Sequence, residues 1–239
     1  MAATVKAAAL ASAIRVFQVS FSDPGIASFW MPLVWVIAVL TMVVGNVTAI
    51  WQNNLKRLLA YSSIAHAGYM LAGILAAPDQ VQQSILYYFA AYVFMNLGAF
   101  TIVSYMERNA AATEIDQYQG MAYTRPVLAV LMTVFLMSLG GLPPTAGFLA
   151  KFYLFRAVLE QGYVWLVVLA VLNSAISFYY YLRVVISMFT PEKEPLVAPV
   201  GSLSAAIVVI LALTLGGTVI LGLLPNFFIE LARAVQIVS

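Results

Sequence analysis

The chain has 239 residues, of which 64% are hydrophobic and 8% charged, with a mean hydropathy of +0.98. A soluble domain carries about 25% charged residues, so the composition points to a polytopic membrane protein, and a net charge of +2 without a basic cluster excludes nucleic acid as a partner. Cysteine is absent and His66 is the single histidine, which excludes disulfides, thiolate catalysis, Cys-ligated iron–sulfur clusters, Cys-type zinc sites, and a haem pair or His-rich metal site.

A helix needs about 20 mostly apolar residues to cross a bilayer. About seven such stretches follow one another, predicting an all-α bundle of membrane spans. The first runs near Ala2–Phe21. It resembles a signal peptide superficially, but Arg15 breaks the apolar run and no small-residue cleavage site follows. Lys6 interrupts a run of small residues here. An ammonium at membrane depth costs about 3 kcal/mol or more and persists where it meets a polar cavity or a partner. Lys6 lies only about 8 Å along a helix from Met1, so snorkelling to the near interface is the alternative.

The turn Asp23-Pro24-Gly25 leads to a second span near Phe29–Trp51 and a third near Leu58–Ala77. Lys56 and Arg57 fit an interfacial anchor at the entrance of the third. Tyr61, Ser62, Ser63, His66 and Tyr69 then form a polar stripe at helical spacing, with Ser62 and His66 four apart on one face. His66 is either a hydrogen-bonded core residue or a proton relay. After a turn at Pro78-Asp79, a fourth span covers Gln83–Tyr105, where Asn96-Leu97-Gly98-Ala99-Phe100 suits close helix contact. The longest polar connection, Glu107–Arg125, ends in Thr124-Arg125-Pro126, a pattern for a threonine N-cap with proline in the first turn.

The fifth span departs from the others. Pro126–Val158 comprises 33 residues, about 50 Å as one straight helix against a hydrocarbon core of about 30 Å. Gly140-Gly141-Leu142-Pro143-Pro144 breaks it, because both prolines lack an N–H and each restricts the residue before it. Such a break leaves carbonyls that need protein or water partners. Lys151 follows within two turns of the restart, where the positive end of the second half-helix is expected to meet it. A lysine so placed suits proton loading and release; the alternative is a packing hinge with Lys151 reaching the interface. The sixth span covers Tyr163–Phe189, with Asn173-Ser174-Ala175 as a packing segment and Tyr179-Tyr180-Tyr181-Leu182-Arg183 as an interfacial aromatic belt. A turn at 191–195 precedes the seventh, Leu203–Leu224.

If the spans alternate, Lys56, Arg57, Arg108, Arg125 and Lys193 share one side, which the positive-inside rule places in the cytoplasm, matrix or stroma. The C-terminus then lies outside.

Several of these segments resemble one family. Asn54 to Tyr69, reading NLKRLLAYSSIAHAGY, is similar to the signature of the antiporter-like subunits of respiratory complex I and of Mrp-type cation/proton antiporters. Gly141 to Phe152, reading GLPPTAGFLAKF, resembles more specifically the N-type subunit (subunit 2) of proton-pumping NADH:quinone oxidoreductase, as do Tyr92–Phe100 and Ser177–Arg183. The resemblance covers essentially the whole chain. It implies a fourteen-span fold of two inverted five-helix repeats with flanking helices, of which this chain, as one transmembrane domain over residues 1–239, matches spans eight to fourteen. Lys6 then matches the central lysine of the proton path, Lys151 the exit or terminal relay on the broken helix with Gly141, Pro143 and Pro144 at the break, and Lys56 and His66 the lysine and histidine of the tenth span. The inward glutamate–lysine pair of the family has no counterpart, and the expectation is a C-terminal portion or a truncated reading frame. The resemblance further implies that this chain binds no cofactor, with flavin, iron–sulfur clusters and quinone in partner subunits. The expected partners are the antiporter-like and small membrane subunits of complex I, and the expected membrane is a bacterial inner membrane, or an organelle's inner or thylakoid membrane. A Mrp-type sodium/proton antiporter subunit and a non-conducting structural remnant are the rival readings. A seven-helix receptor does not fit, because the retinal-type lysine is missing and the fifth span is broken.

Overall fold

The computed structural model describes residues 2–191 and 203–234. The helix α1 (Ala2–Arg15) continues through a π-helical turn at Val16–Ser20. Asp23 caps α2 (Pro24–Ile50), its carboxylate accepting from the Gly25 N–H at 2.8 Å, and Asn54 caps α3 (Leu55–Ala72) by accepting from the Arg57 N–H at 3.0 Å. A 3₁₀ turn, Gly73–Leu75, leads to α4 (Pro78–Ala110). The polar connection contains a 3₁₀ turn, Ile115–Tyr118, and the short α5 (Met121–Thr124). Then follow α6 (Pro126–Gly140), α7 (Ala146–Glu160), α8 (Val164–Phe189), α9 (Ala205–Leu223) and α10 (Pro225–Ala234).

Among the described residues, five helices are individually long and apolar enough to cross a membrane: Pro24–Ile50, Leu55–Leu75, Gln80–Ala110, Val164–Phe189 and Ala205–Leu223. Two further crossings are composite, α1 with its π turn and α6 with α7. The seven-span, all-α bundle with one broken helix is therefore the architecture, although several boundaries differ from those expected. Pro78 starts α4 instead of marking a turn, because a proline at the first helical position loses no hydrogen bond. Pro126 does open α6, but Thr124 is the last residue of α5 and does not cap it; the N-cap is Arg125, without a side-chain hydrogen bond. The turn expected at 191–195, with Lys193, lies outside the described residues apart from Pro191.

The long α4 forms the axis of the bundle, touching α1, α3, α6, α7, α9 and α10. The tightest contact is α2 on α3, where two glycines let the backbones approach. A Cβ on Gly45 would stand 2.6 Å from the Ala65 nitrogen, and one on Gly68 would stand 2.7 Å from Met42 Cγ. Lipid tails offer no hydrophobic drive between helices, so such small-residue contacts set the packing. The outer face of α2 is bare: Phe29 and Trp51 are each 78% exposed, with Leu33, Leu40 and Val44 between them.

One end of the bundle is sewn together by backbone. The Leu55 N–H donates to Thr113 O at 2.9 Å and the Ile115 N–H to Asn53 O at 2.8 Å. The Tyr123 hydroxyl reaches Phe189 O at 3.3 Å, and Arg183 donates to Ile50 O and Gln52 O. Gly45→Ala is expected to lower stability by about 1–3 kcal/mol, because the Ala65 backbone has no room to yield. Gly216→Ala, which meets nothing within 4 Å, should cost nothing. Unfolding in mixed detergent–SDS micelles checks both.

Candidate functional site

The break between α6 and α7 is built from its residues. Gly141 has φ +89° and ends α6, a conformation glycine adopts without strain. Its N–H returns to Met137 O and Ser138 O at 3.0 Å, which closes the last turn. Pro143-Pro144, joined by a cis peptide, carries the chain over to Thr145, and α7 restarts at Ala146. Gly147 seats this restart directly against Ser138: a Cβ there would fall 1.8 Å from Ser138 O. The Gly147 N–H donates to Ser138 Oγ at 3.2 Å.

Carbonyls freed by the break find their partner in Lys151. A side chain on a helix leans toward its N-terminus, so Lys151 points back across the gap. Its Nζ donates to Leu139 O at 3.1 Å, Gly140 O at 3.0 Å and Ser174 Oγ at 2.8 Å. These three acceptors match the three N–H donors of an ammonium. Lys151 is 5% exposed, so the interfacial alternative does not apply. The expectation that it meets the positive end of α7 needs correction: the ammonium sits on the carbonyl end of α6, the negative end of that dipole. A groove of about 650 Å³ between α7 and α8, lined by Phe148, Phe152, Phe155, Val171 and Ser174, reaches the lysine from the side.

Lys6 is held similarly. Its Nζ donates to the Ser63 carbonyl and hydroxyl and lies 3.4 Å from the Tyr92 hydroxyl, 5.1 Å over that ring. The ammonium therefore turns into the bundle, toward α3 and α4.

His66 lies between the lysines in the bundle, 2% exposed. Its Nδ1 is 2.8 Å from the Tyr88 hydroxyl and its Nε2 is 3.4 Å from the Tyr181 hydroxyl. The imidazole packs 5.2 Å from the Tyr92 ring and 5.8 Å from the Tyr69 ring. Tyr92 thus touches both Lys6 and His66, and Tyr69 touches both His66 and Lys151, whose Nζ stands 5.4 Å over its ring. The serine beside His66 on the same face is no partner of it; Ser62 Oγ bonds its own helix at Leu59 O, 2.8 Å away.

Half-buried Lys6 and buried His66 and Lys151 form one line, and Gly141, Pro143 and Pro144 shape its end. Lys56 stands apart. It pairs with Glu107 at 2.8 Å with its side chain 52% exposed, as an anchor at the bundle end would.

Residues 1–177 match the family model described as NADH:quinone oxidoreductase/Mrp antiporter, transmembrane. The chain belongs to that family. It is 43% identical over 235 residues to NADH-quinone oxidoreductase subunit N of Trichlorobacter lovleyi, covering 98% of this chain and 47% of that protein. A chain of the Thermus thermophilus respiratory complex I with bound aureothin superposes with a TM-score of 0.71 at 33% identity, covering 83% of this chain and 45% of that one. The Mrp complex of Dietzia sp. shares the fold alone, with a TM-score of 0.81 at 22% identity over 94% of this chain and 49% of that one. This family member spans about half the length of the relatives it matches. It is a multi-pass inner-membrane protein.

The line has neighbours that the sequence did not disclose. Tyr180 and Tyr181 are fully buried, so only Tyr179, 59% exposed, fits the expected interfacial belt. Asn173, expected to serve packing, accepts from Asn46 Nδ2 at 3.1 Å. Asn46 itself drew no attention as a single amide in an apolar helix.

Gly141→Ala tests the break. The new methyl group would approach Lys151 Cδ and Nζ to 3.3 and 3.4 Å. The left-handed backbone adds about 1–2 kcal/mol of strain. A loss of that size is expected in the same micelle unfolding assay, and an unchanged midpoint would argue against this geometry.

Proposed function

We propose that the chain translocates protons as a membrane subunit of an NADH:quinone oxidoreductase, and that it corresponds to spans eight to fourteen of a fourteen-span, antiporter-like subunit. The observation that carries this reading is the line Lys6–Tyr92–His66–Tyr69–Lys151, which ends at carbonyls opened by a helix break. Support for the assignment to this complex comes from the 43% identity to a subunit N.

Two lysines, each surrounded by three acceptors, supply two protonatable stations. When Lys151 gives up a proton, its amine keeps two N–H donors for three acceptors, so one of Leu139 O, Gly140 O and Ser174 Oγ loses its donor, and a buried group left unpaired costs about 1–3 kcal/mol. Protonation of Lys151 and the geometry of the break are therefore coupled. Release from Lys151 becomes favourable when charge or water arrives to replace the lost donor. Quinone reduction in partner subunits would provide the alternating charge. Flavin, iron–sulfur clusters and quinone would reside there; among the described residues no group of three His, Cys, Asp or Glu is placed to hold a metal. Lys56, outside the line, would act as an anchor.

Lys151→Ala and Lys6→Ala, each introduced into the assembled complex, test this. A positioned proton-transfer group contributes on the order of 10²-fold or more to its step. Quinone reduction should therefore proceed with sharply reduced acidification across the membrane. Full coupling in a completely assembled complex would sink the proposal, and a dependence of transport on sodium would favour the Mrp-type alternative.

A further inference from the structure

Tyr69 occupies the point where the two halves of the line meet, and its hydroxyl is held by Asn46 and Ser177. The Asn46 amide donates to that hydroxyl at 3.2 Å and to Asn173 Oδ1 at 3.1 Å. Tyr180 in turn donates to Asn46 Oδ1 at 3.0 Å. Asn173 is anchored by its own donation to Leu169 O at 2.9 Å. All four residues are buried: Asn46, Tyr69 and Tyr180 at 0% and Asn173 at 5% exposed. The tight α2–α3 contact through Gly45 and Gly68 places Asn46 opposite Tyr69, one helical turn from each glycine's partner.

The hydrogen bonds of His66 go to Tyr88 and Tyr181, and those of Lys151 go to Leu139, Gly140 and Ser174. The two sets share no member among the described residues. What they share is the Tyr69 ring, which carries no exchangeable proton on its face or edge. A proton passing from the His66 side to Lys151 needs this ring to move, or water to pass it.

We propose that Tyr69 is a shutter across the proton line and that Asn46, itself held by Tyr180 and Asn173, is the positioning residue that latches it closed. This inference rests on the proton-translocation reading above. The latch holds Tyr69 through its hydroxyl, with Ser177 as its second partner there, so that the ring closes the gap. Closure prevents protons from flowing back between strokes; opening requires the amide–phenol hydrogen bond to break.

Asn46→Leu removes the latch, and Tyr69→Phe keeps the shutter but cuts its tether. The test uses the assembled complex in proteoliposomes, without NADH or quinone, under a valinomycin-imposed potassium potential, with an internal pH dye as readout. Passive proton entry should rise in both variants, by up to about tenfold, the change that one lost buried hydrogen bond produces. In Asn46→Leu, which lies outside the line, quinone reduction should continue at the unmodified rate. Proton entry equal to that of the unmodified complex in both variants overturns the proposal. So does an equal rise in chloride permeability, which would mean a loosened bundle. Lys151→Ala is run in parallel. If it uncouples the complex while Asn46→Leu and Tyr69→Phe stay tight, the latch alone is wrong; if it leaves coupling intact, the translocation reading falls and takes the latch with it.

Discussion

The interaction on which the rest depends is the one between the Lys151 ammonium and the last two carbonyls of α6. A helix cannot simply stop inside a membrane, because its terminal carbonyls have no water to turn to. A lysine cannot simply be buried there either, because its charge has no solvent. Here each problem is the other's remedy. The two prolines end one hydrogen-bond ladder, and a side chain from the next ladder, leaning backward as helical side chains do, completes it. The result is a charged group whose proton is part of the backbone's hydrogen-bond inventory, which couples ionisation to local conformation without any further device.

Around this junction, close packing sets what the lysine sees. Gly147 allows the two half-helices to touch, Ser174 comes from α8, and Tyr69 comes from α3 across the Gly68 contact with α2. Among the described residues, aromatic rings and not carboxylates flank both lysines. Tyr92 and Tyr69 offer negative ring faces to the ammonium groups, which steadies a cation without trapping it as a fixed counter-charge would.

Features written along one dimension were legible in the sequence. The double proline and the glycines before it announced the break, and lysines inside apolar runs announced themselves by their cost. The polar stripe of α3 placed His66 toward the interior. Features written across helices were not legible. Asn46 and Asn173 lie 127 positions apart, and Asn46 and Tyr180 lie 134 apart, so nothing local links them. The tyrosine triplet of α8 looked like a belt by composition, yet the turn of about 100° per residue faces one ring outward and buries two. Lys56 reads as an interfacial anchor from its own residues and as a relay only through the resemblance; its pairing with Glu107 fits the anchor. The direction in which Lys151 reaches was missed because the sequence displays the dipole of its own half-helix and not that of the one before.

The two ends of the bundle are fastened differently. At the end holding Lys56, backbone hydrogen bonds tie the α2–α3 corner to the 111–125 connection, and Arg183 clamps the carbonyls at the close of α2. At the opposite end the outermost ties are exposed side chains: Gln80 of α4 donates to Glu160 of α7 at 2.8 Å, and Glu160 also pairs with Arg156 within its own helix at 2.8 Å. Exposed pairs of this kind are worth about 0–1 kcal/mol and weaken with salt. Salt will therefore loosen the outer tie at that end before it touches the end pinned by backbone, whose main-chain hydrogen bonds do not depend on ionic strength.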